Sequence, residues 1–114
     1  MQFTCSIKNN HAFRRLYNTG KSAATGNIVL YCRRNRRGAN QLGLTVGTKV
    51  GNAVVRNRVR RRLKEIYRLH ESTLRRGFDI VVVARTKSRC ATYWQLEADF
   101  LRLADKLSLR ETQP

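Results

Sequence analysis

The residues best suited to chemistry are the cations between Val50 and Arg68, VGNAVVRNRVRRRLKEIYR, where Glu65 is the single carboxylate. In a helix, with about 100° of rotation per residue, one stripe of this segment is apolar: Val55, Val59, Leu63, Ile66 and His70, with Tyr67 and Leu69 at its edges. The opposite side is polar and basic: Asn57, Arg60, Arg61, Lys64 and Arg68, with Arg56, Arg58 and Arg62 on the flanks. Like charges at these spacings repel by about a few tenths of a kcal/mol per pair. A polyanion would relieve that repulsion.

The charge of the whole chain supports this interpretation. The 24 basic and 7 acidic residues give a net charge of +17, which indicates nucleic acid or an anionic membrane surface as the partner. Twenty-one of the basic residues and only three of the acidic ones lie in the first 92 residues, so the positive field is one-sided. Eighteen of the cations are arginine, which favours bidentate phosphate contacts, although a GC-rich genome would also enrich arginine.

The chain offers no convincing catalytic constellation of its own. A protein nuclease needs grouped carboxylates for Mg²⁺ or histidines for acid–base work, and the basic part holds only Glu65, Glu71 and Asp79. His70 lies on the apolar stripe, where a buried or edge histidine is expected, and His11 lies near a helix start. We therefore expect no catalytic residue, no metal site and no cofactor bound by the protein itself.

The three cysteines and the apolar runs bear on the cellular compartment. Cys5, Cys32 and Cys90 form no C-x-x-C pair, so zinc binding is not expected and each is predicted to be a small buried apolar residue. No apolar run approaches the roughly 20 residues of a membrane span, and the first residues lack a signal-peptide core. These features predict a cytoplasmic protein without a membrane partner.

The remaining elements must position the basic helix, which is predicted from Asn52 to about Leu74 with Gly77 closing it. Asn9 or Asn10 can cap a first helix that ends at Gly20, and a capping box from Thr92 to Gln95 opens a last helix. The first helix presents Phe13, Leu16 and Tyr17 on one face, and the last presents Leu96, Phe100, Leu103 and Leu107. Strands are predicted at residues 27–34, 41–47 and 78–84, the last buried on both faces and parallel to a neighbour. The basic connection 33–40 is interpreted as a hairpin loop, with Gly38 supplying a positive φ.

The length and this order predict one domain over residues 1–114, with an ordered core at about 9–107, and the one-sided charge makes it a candidate RNA-binding domain. The fold class is α+β: a two-layer sandwich with three helices on a mixed sheet of about four strands, in the order α-β-β-β-α-β-α. Strand 41–47 alternates an apolar face with Gly43, Thr45 and Gly47. That bare face leaves space for a ligand or, equally well, for a close-packed helix.

The segment Gly51 to Arg61, GNAVVRNRVRR, closely resembles the arginine-rich RNR signature of the bacterial ribonuclease P protein subunit. Further agreement follows in order and spacing: FxxLY near the start, then IVLY, GLTVGTKVGNAV and FDIVVVAR, so the resemblance covers roughly residues 9–107. Members of that family are the non-catalytic protein component of an endoribonuclease whose catalytic RNA removes 5′ leaders from precursor tRNA. The resemblance implies the same role here, with Mg²⁺ belonging to the RNA and no obligate protein partner.

The resemblance also implies a left-handed crossover of the basic helix between two parallel strands, against the usual right-handed preference, and two RNA surfaces. The surface for the catalytic RNA carries over to Lys49, Asn52, Arg56, Asn57, Arg58, Arg60 and Arg61, and the same helix face continues to Lys64 and Arg68. The cleft for the single-stranded leader carries over to Phe13, Tyr17 and Tyr31. Further candidates for phosphate contacts are Arg14, Arg15, Lys21 and the arginines from Arg33 to Arg37.

Each interpretation has an alternative. Phe13 and Tyr17, at i and i+4, also fit ordinary core packing, whereas Tyr31 lies on the strand face opposite Ile28 and Leu30 and is the best candidate for exposure. A ribosomal or general RNA-binding protein would share the charge without needing an aromatic cleft. A small protein-only nuclease would need the carboxylates for activity.

Overall fold

The computed structural model describes residues 4–7 and 10–111, and within them five strands and three helices follow one another. They are β1 (Thr4–Ser6), α1 (Asn10–Thr19), β2 (Lys21–Ala24), β3 (Ile28–Arg34), β4 (Asn40–Val46), α2 (Ala53–His70), β5 (Phe78–Ala84) and α3 (Tyr93–Lys106). Short 3-10 turns occupy Thr48–Val50, Glu71–Thr73 and Thr86–Cys90. Asn9, one of the two predicted caps, lies outside the described residues.

The strands form one mixed sheet in the order β1-β4-β5-β3-β2. Strand β5 lies between β4, to which it is parallel, and β3, to which it is antiparallel. A central strand is covered on both faces, which suits the continuous apolar run of β5. Its residues Ile80, Val81 and Val82 are at most 1% exposed, which confirms the predicted interior strand. Helix α2 crosses from β4 to its parallel neighbour β5, and the left hand of this crossover stays a prediction.

The α+β fold class with three helices is confirmed, but the sheet has five described strands rather than about four. The sequence prediction had fewer strands because the two edge strands are short. Strand β1 was not predicted, and β2 had no predicted bounds. The hairpin interpretation of residues 33–40 was wrong. Because β5 lies between β3 and β4, this connection passes across the start of β5, where Asn35 bonds Asp79 and the carbonyl of Gly77. Gly38 has the predicted positive φ, 73°.

Helices α2 and α3 cover one face of the sheet and enclose the main core. The predicted stripe of α2 is confirmed at Val59, Leu63 and Ile66, while Tyr67 is fully buried and Leu69 is 51% exposed. The capping box of α3 forms both of its hydrogen bonds, Gln95 N to Thr92 Oγ1 at 3.1 Å and Thr92 N to Gln95 Oε1 at 2.9 Å. The inner face of α3 buries Leu96, Phe100 and Leu103, and Leu107 is partly buried.

Helix α1 covers part of the opposite face, where it forms a second, smaller core. Leu16 is only 1% exposed and packs with Ile7 and Val81, while Phe13 and Tyr31 are half-buried at its border. The strand face carrying Gly43 and Thr45 is therefore covered by a helix at one end only.

A buried polar cluster ties the edge strand β1 to the core. The Tyr67 hydroxyl lies 2.8 Å from Thr4 Oγ1 and accepts a longer hydrogen bond, 3.4 Å, from Asn40 Nδ2, and Thr4 also donates to the buried Glu71. Asn40 donates to the carbonyl of Arg75 at 3.0 Å and accepts from Phe78 N at 2.9 Å. Burial raises the pKa of the Tyr67 phenol, so it remains a neutral hydrogen-bonding group.

The predicted burial of the three cysteines is confirmed for Cys32 alone. Cys32 is buried on β3, where desolvation raises the pKa of its thiol. Cys5 and Cys90 are exposed, so their burial was wrongly predicted, because β1 is an edge strand and Cys90 ends a surface turn.

Candidate nucleic-acid interface

Helix α2 begins next to an ordered turn that presents its first cations. Val50 is buried at the end of the 3-10 turn, which leaves Lys49 exposed beside the helix start. Asn52 caps α2, its side-chain oxygen accepting from Val55 N at 3.0 Å. The amide oxygen of Asn52 is thus used within the protein, while its NH₂ group still faces solvent.

The outer face of α2 carries the predicted contact residues. Asn57, Arg58, Arg61, Lys64 and Arg68 are exposed, whereas Arg56 and Arg60 are half-buried. Arg61 and Lys64 form no hydrogen bond or ion pair within the described part of the chain. Among the described cations of α2, these two are therefore the most available to an external phosphate.

Other cations on this helix have partners inside the protein. Arg68 makes a two-pronged contact to Glu65, at 2.6 and 2.9 Å, and these hydrogen bonds hold the pKa of Glu65 below its usual value. Arg60 donates to Asn57 Oδ1 at 3.1 Å. Both contacts are exposed, and exposed pairs of this kind contribute little to stability and exchange readily for other partners.

Two arginines on the flank of α2 bond to backbone carbonyls before α3. Arg58 donates to the carbonyl of Arg89 and Arg62 to that of Ala91, both at 3.1 Å. Arg58 remains exposed and has no carboxylate partner in the described residues, so its charge is not neutralised. Its predicted contact role is combined with a structural one, which sequence reasoning did not show.

The aromatic residues meet on the other face of the sheet. Phe13 covers Gly43, and the ring centroids of Phe13 and Tyr17 are 6.4 Å apart. Tyr17 packs against Tyr31 with centroids 4.8 Å apart and planes at 72°. Tyr17 is 40% exposed and Tyr31 is half-buried, so the prediction that Tyr31 is the most exposed ring was wrong. Tyr31 instead supports Tyr17 from the sheet.

A hollow beside these rings is lined by Phe13, Arg14, Tyr17 and Thr45, and we call it the aromatic trough. Thr45 also lines a larger hollow of about 680 Å³, which reaches Lys49, Arg85 and Lys87. The two hollows share Thr45, and the larger one carries three cations, of which Arg85 also donates to the carbonyl of Thr25 at 3.1 Å. Flat rings followed by cations suit an unpaired nucleic-acid strand, whose bases stack while its phosphates pair with charge.

The aromatic trough and the basic helix are neighbours. Another hollow, of about 240 Å³, is lined by Phe13 on α1, Gly43 on β4, and Arg60 and Lys64 on α2. A nucleic acid bound along α2 would thus lie close to one bound in the aromatic trough. Although α1 and α2 lie on opposite faces of the sheet, side chains from both helices line this one hollow at β4.

Sequence reasoning missed Thr45, Arg85 and Lys87 as site residues. The sequence indicates Thr45 only as part of the bare face of its strand, which leaves space for a ligand or a helix. Arg85 and Lys87 follow the end of β5, and only the parallel neighbour β4 brings them beside Lys49.

Among the described residues no group of three or more histidine, cysteine or acidic side chains could hold a metal ion. His70 Nε2 lies 3.0 Å from Glu97 Oε2 and joins α2 to α3 at the edge of the core. Asp99 accepts from Thr25 and Asn27. Glu97 and Asp99 thus link α3 to α2 and to the residues before β3. The helices in the described part of the chain are too short or too polar to span a bilayer.

Comparison with known proteins identifies the family to which this chain belongs. A sequence profile of the family described as Ribonuclease P matches residues 1–108. The ribonuclease P protein component of Natranaerobius thermophilus is 40% identical over 104 residues, which cover 91% of this chain and 90% of that protein. The component of Alkaliphilus metalliredigens is 40% identical over 109 residues, covering 96% and 98%.

Solved structures agree with the sequence comparison. The Staphylococcus aureus RNase P protein superposes with a TM-score of 0.86 at 31% identity, covering 93% of this chain and 97% of that chain. The RNase P protein from Thermotoga maritima gives a TM-score of 0.78 at 29% identity, covering 85% and 92%. Sequence and fold agree along almost the whole length, and the chain belongs to the ribonuclease P protein family.

Proposed function

We propose that this chain is the protein subunit of ribonuclease P, acting in the cytoplasm on precursor tRNA. The exposed face of α2 binds the catalytic RNA, and the aromatic trough holds the single-stranded 5′ leader. The observation that carries this proposal is the proximity of the two surfaces, which share the hollow between Phe13, Arg60 and Lys64. A protein that joins two RNA molecules needs such a junction.

The protein contributes binding energy and the RNA subunit, with its Mg²⁺, contributes the chemistry. The described carboxylates and histidines form no metal site, while the net charge of +17 lowers the repulsion between two polyanions. Less Mg²⁺ is then needed to bring catalytic RNA and substrate together. Contacts to the leader favour the precursor over the mature product, because mature tRNA lacks the leader.

Reconstitution tests the proposal. At a Mg²⁺ concentration too low for ribonuclease P RNA to act alone, adding the purified chain is expected to restore removal of the 5′ leader. The chain without RNA is expected to cleave nothing. Absence of rescue over a full titration would contradict the proposal and favour a ribosomal or general RNA-binding protein, and cleavage by the chain alone would favour a protein nuclease.

The aromatic trough predicts a selective defect. Tyr17→Ala is expected to weaken binding of precursor tRNA to the holoenzyme by about 1–3 kcal/mol, the usual value of one base stacked on a ring. Binding of mature tRNA should be unchanged, and equilibrium binding of both tRNAs measures the difference. Arg61→Ala is the matched control on α2, and it should weaken assembly with the catalytic RNA and lower its salt dependence. Equal losses for precursor and mature tRNA in Tyr17→Ala would count against leader binding in the aromatic trough.

A further inference from the structure

A basic hollow lies at the end of the sheet opposite to Lys49 and Arg85. This distal hollow, of about 360 Å³, is lined by Lys21, Arg33, Arg34, Arg75, Phe78 and Leu107, among others. In the sheet, Arg34 pairs with Phe78 at one end of β5, and Ile28 pairs with Ala84 at the other. Six residue steps along β5 correspond to about 20 Å. One nucleotide therefore cannot touch both the distal hollow and the cation cluster beside Thr45.

The four cations of the distal hollow come from separate parts of the chain. Lys21 begins β2, Arg33 and Arg34 end β3, and Arg75 precedes β5. Among the described residues, none of these four side chains forms a hydrogen bond or an ion pair. The described residues that line the hollow include no carboxylate. Arg33 has Asp79 opposite it on β5, but none of the four cations is in an ion pair. Cations around one concavity repel each other, and a phosphate would reduce that repulsion.

The floor of the distal hollow is apolar. The half-buried ring of Phe78 and the partly buried Leu107 lie beside Cys32, which is 2% exposed. Desolvation raises the pKa of the Cys32 thiol, so this part of the floor is uncharged. The hollow thus combines a cationic rim with a hydrophobic base, which suits a ligand that carries both a phosphate and a flat, weakly polar ring.

We propose that the distal hollow binds one nucleotide unit of an RNA chain, with its base against Phe78 and Leu107 and its flanking phosphates at the cationic rim. This inference rests on the proposed function and adds a contact separate from α2 and from the aromatic trough. An RNA chain is favoured over a free nucleotide because exposed cations continue beyond the hollow, at Arg36 and Arg37 in the loop after β3. A polymer can reach these charges and a mononucleotide cannot.

Binding to ribonuclease P RNA provides the first test. Arg34→Gln and Arg75→Gln are each expected to weaken binding about fivefold and to lower the slope of log affinity against log salt by about one. The matched control is Arg102→Gln, which removes one charge from an exposed position of α3 outside every hollow described above. It should change affinity less than about twofold. Equal effects of all three substitutions would overturn the inference, because diffuse charge alone would explain them.

Amide resonances of the full-length protein provide the second test. Titration with a five-nucleotide RNA should shift Gly20, Arg34 and Ser108 around the distal hollow, and adenosine monophosphate at equal concentration should shift them little. In the double variant R34Q/R75Q those shifts should vanish, while that of Thr45 in the aromatic trough persists. Equal binding of the mononucleotide, or no shift around the hollow, would overturn the proposal.

Failure of the inference and failure of the proposed function give different results. If only the distal hollow is wrong, the unmodified chain still rescues cleavage and the hollow resonances do not move. If only the proposed function is wrong, rescue is absent and the hollow resonances still respond to the five-nucleotide RNA.

Discussion

Gly43→Val is expected to have two effects: it should weaken leader binding in the aromatic trough and lower the free energy of unfolding. A Cβ at this position would lie 2.7 Å from Cε1 and Cζ of Phe13, closer than real Cβ contacts, and 3.2 Å from Cγ2 of Val81, which is a tight contact. The two further methyl groups of valine extend the overlap, so the ring must leave its place over the strand. Overpacking of this kind costs about 1–3 kcal/mol of unfolding free energy. Urea denaturation measures that loss.

The same substitution should reduce leader binding. Displacing Phe13 moves the first ring of the aromatic trough and disturbs its contact with Tyr17, and each stacked base contributes about 1–3 kcal/mol. The preference of the reconstituted holoenzyme for precursor over mature tRNA should therefore fall by about tenfold or more. Competition between the two tRNAs measures this preference directly.

Two controls separate the clash from other effects. Gly47→Ala adds a Cβ with no heavy atom within 4 Å, on extended backbone with φ −77°, and should leave stability unchanged. Combining Phe13→Ala with Gly43→Val removes the ring that valine meets. The double variant should therefore lose less unfolding free energy than the sum of the losses in the two single variants. Additive losses would show that Phe13 does not contact the new side chain. A normal precursor preference in Gly43→Val would show that the ring does not bind the leader.

Sequence reasoning succeeded where the determining contacts are local. Thr92 and Gln95 are three residues apart and bond to each other's backbone, so the start of α3 was predictable from one turn of helix. The central position of β5 followed from the continuous apolar run of its own residues, and the stripe of α2 from its 3.6-residue period. The specific RNR segment and its neighbours then predicted the family.

Sequence reasoning failed where distant segments decide the outcome. The residues after Arg34 resemble a hairpin loop, yet β5, more than forty residues later, takes the place beside β3. The edge strand β1 has three residues and no clear alternation, and it is held by bonds from Thr4 to Tyr67 on α2 and to Glu71 in the 3-10 turn after α2. Such pairings leave no mark in the local sequence.

The same distinction applies to the candidate sites. The cations of α2 were predicted because they lie on one helix, but the exposure of Tyr17 relative to Tyr31 depends on how α1 packs on the sheet. The distal hollow was not anticipated at all, since Lys21, Arg34 and Arg75 come from three separate parts of the chain. The sequence indicates Lys21 and Arg34 only as separate candidates for phosphate contacts.

Asn40→Ala is expected to cause the largest loss of stability among polar substitutions considered for this chain. Asn40 is 3% exposed, and its side chain bonds the carbonyl of Arg75 at 3.0 Å and the amide of Phe78 at 2.9 Å, which fixes the entry into β5. Alanine leaves both backbone groups without these partners, and a buried unsatisfied group costs about 1–3 kcal/mol. We expect a loss of about 2–4 kcal/mol in unfolding free energy by urea denaturation.

The matched control for this substitution is Asn57→Ala, because Asn57 is exposed and, among the described residues, its side chain bonds Arg60 alone. It should change stability by less than about 0.5 kcal/mol. Asn40→Ala should also reduce RNA contacts at the distal hollow, because the carbonyl that Asn40 holds belongs to Arg75. If both asparagine variants unfold at the same urea concentration, the buried amide does not anchor the start of β5, and the position of Arg75 must depend on other contacts such as its amide bond to the carbonyl of Leu109 at 2.7 Å.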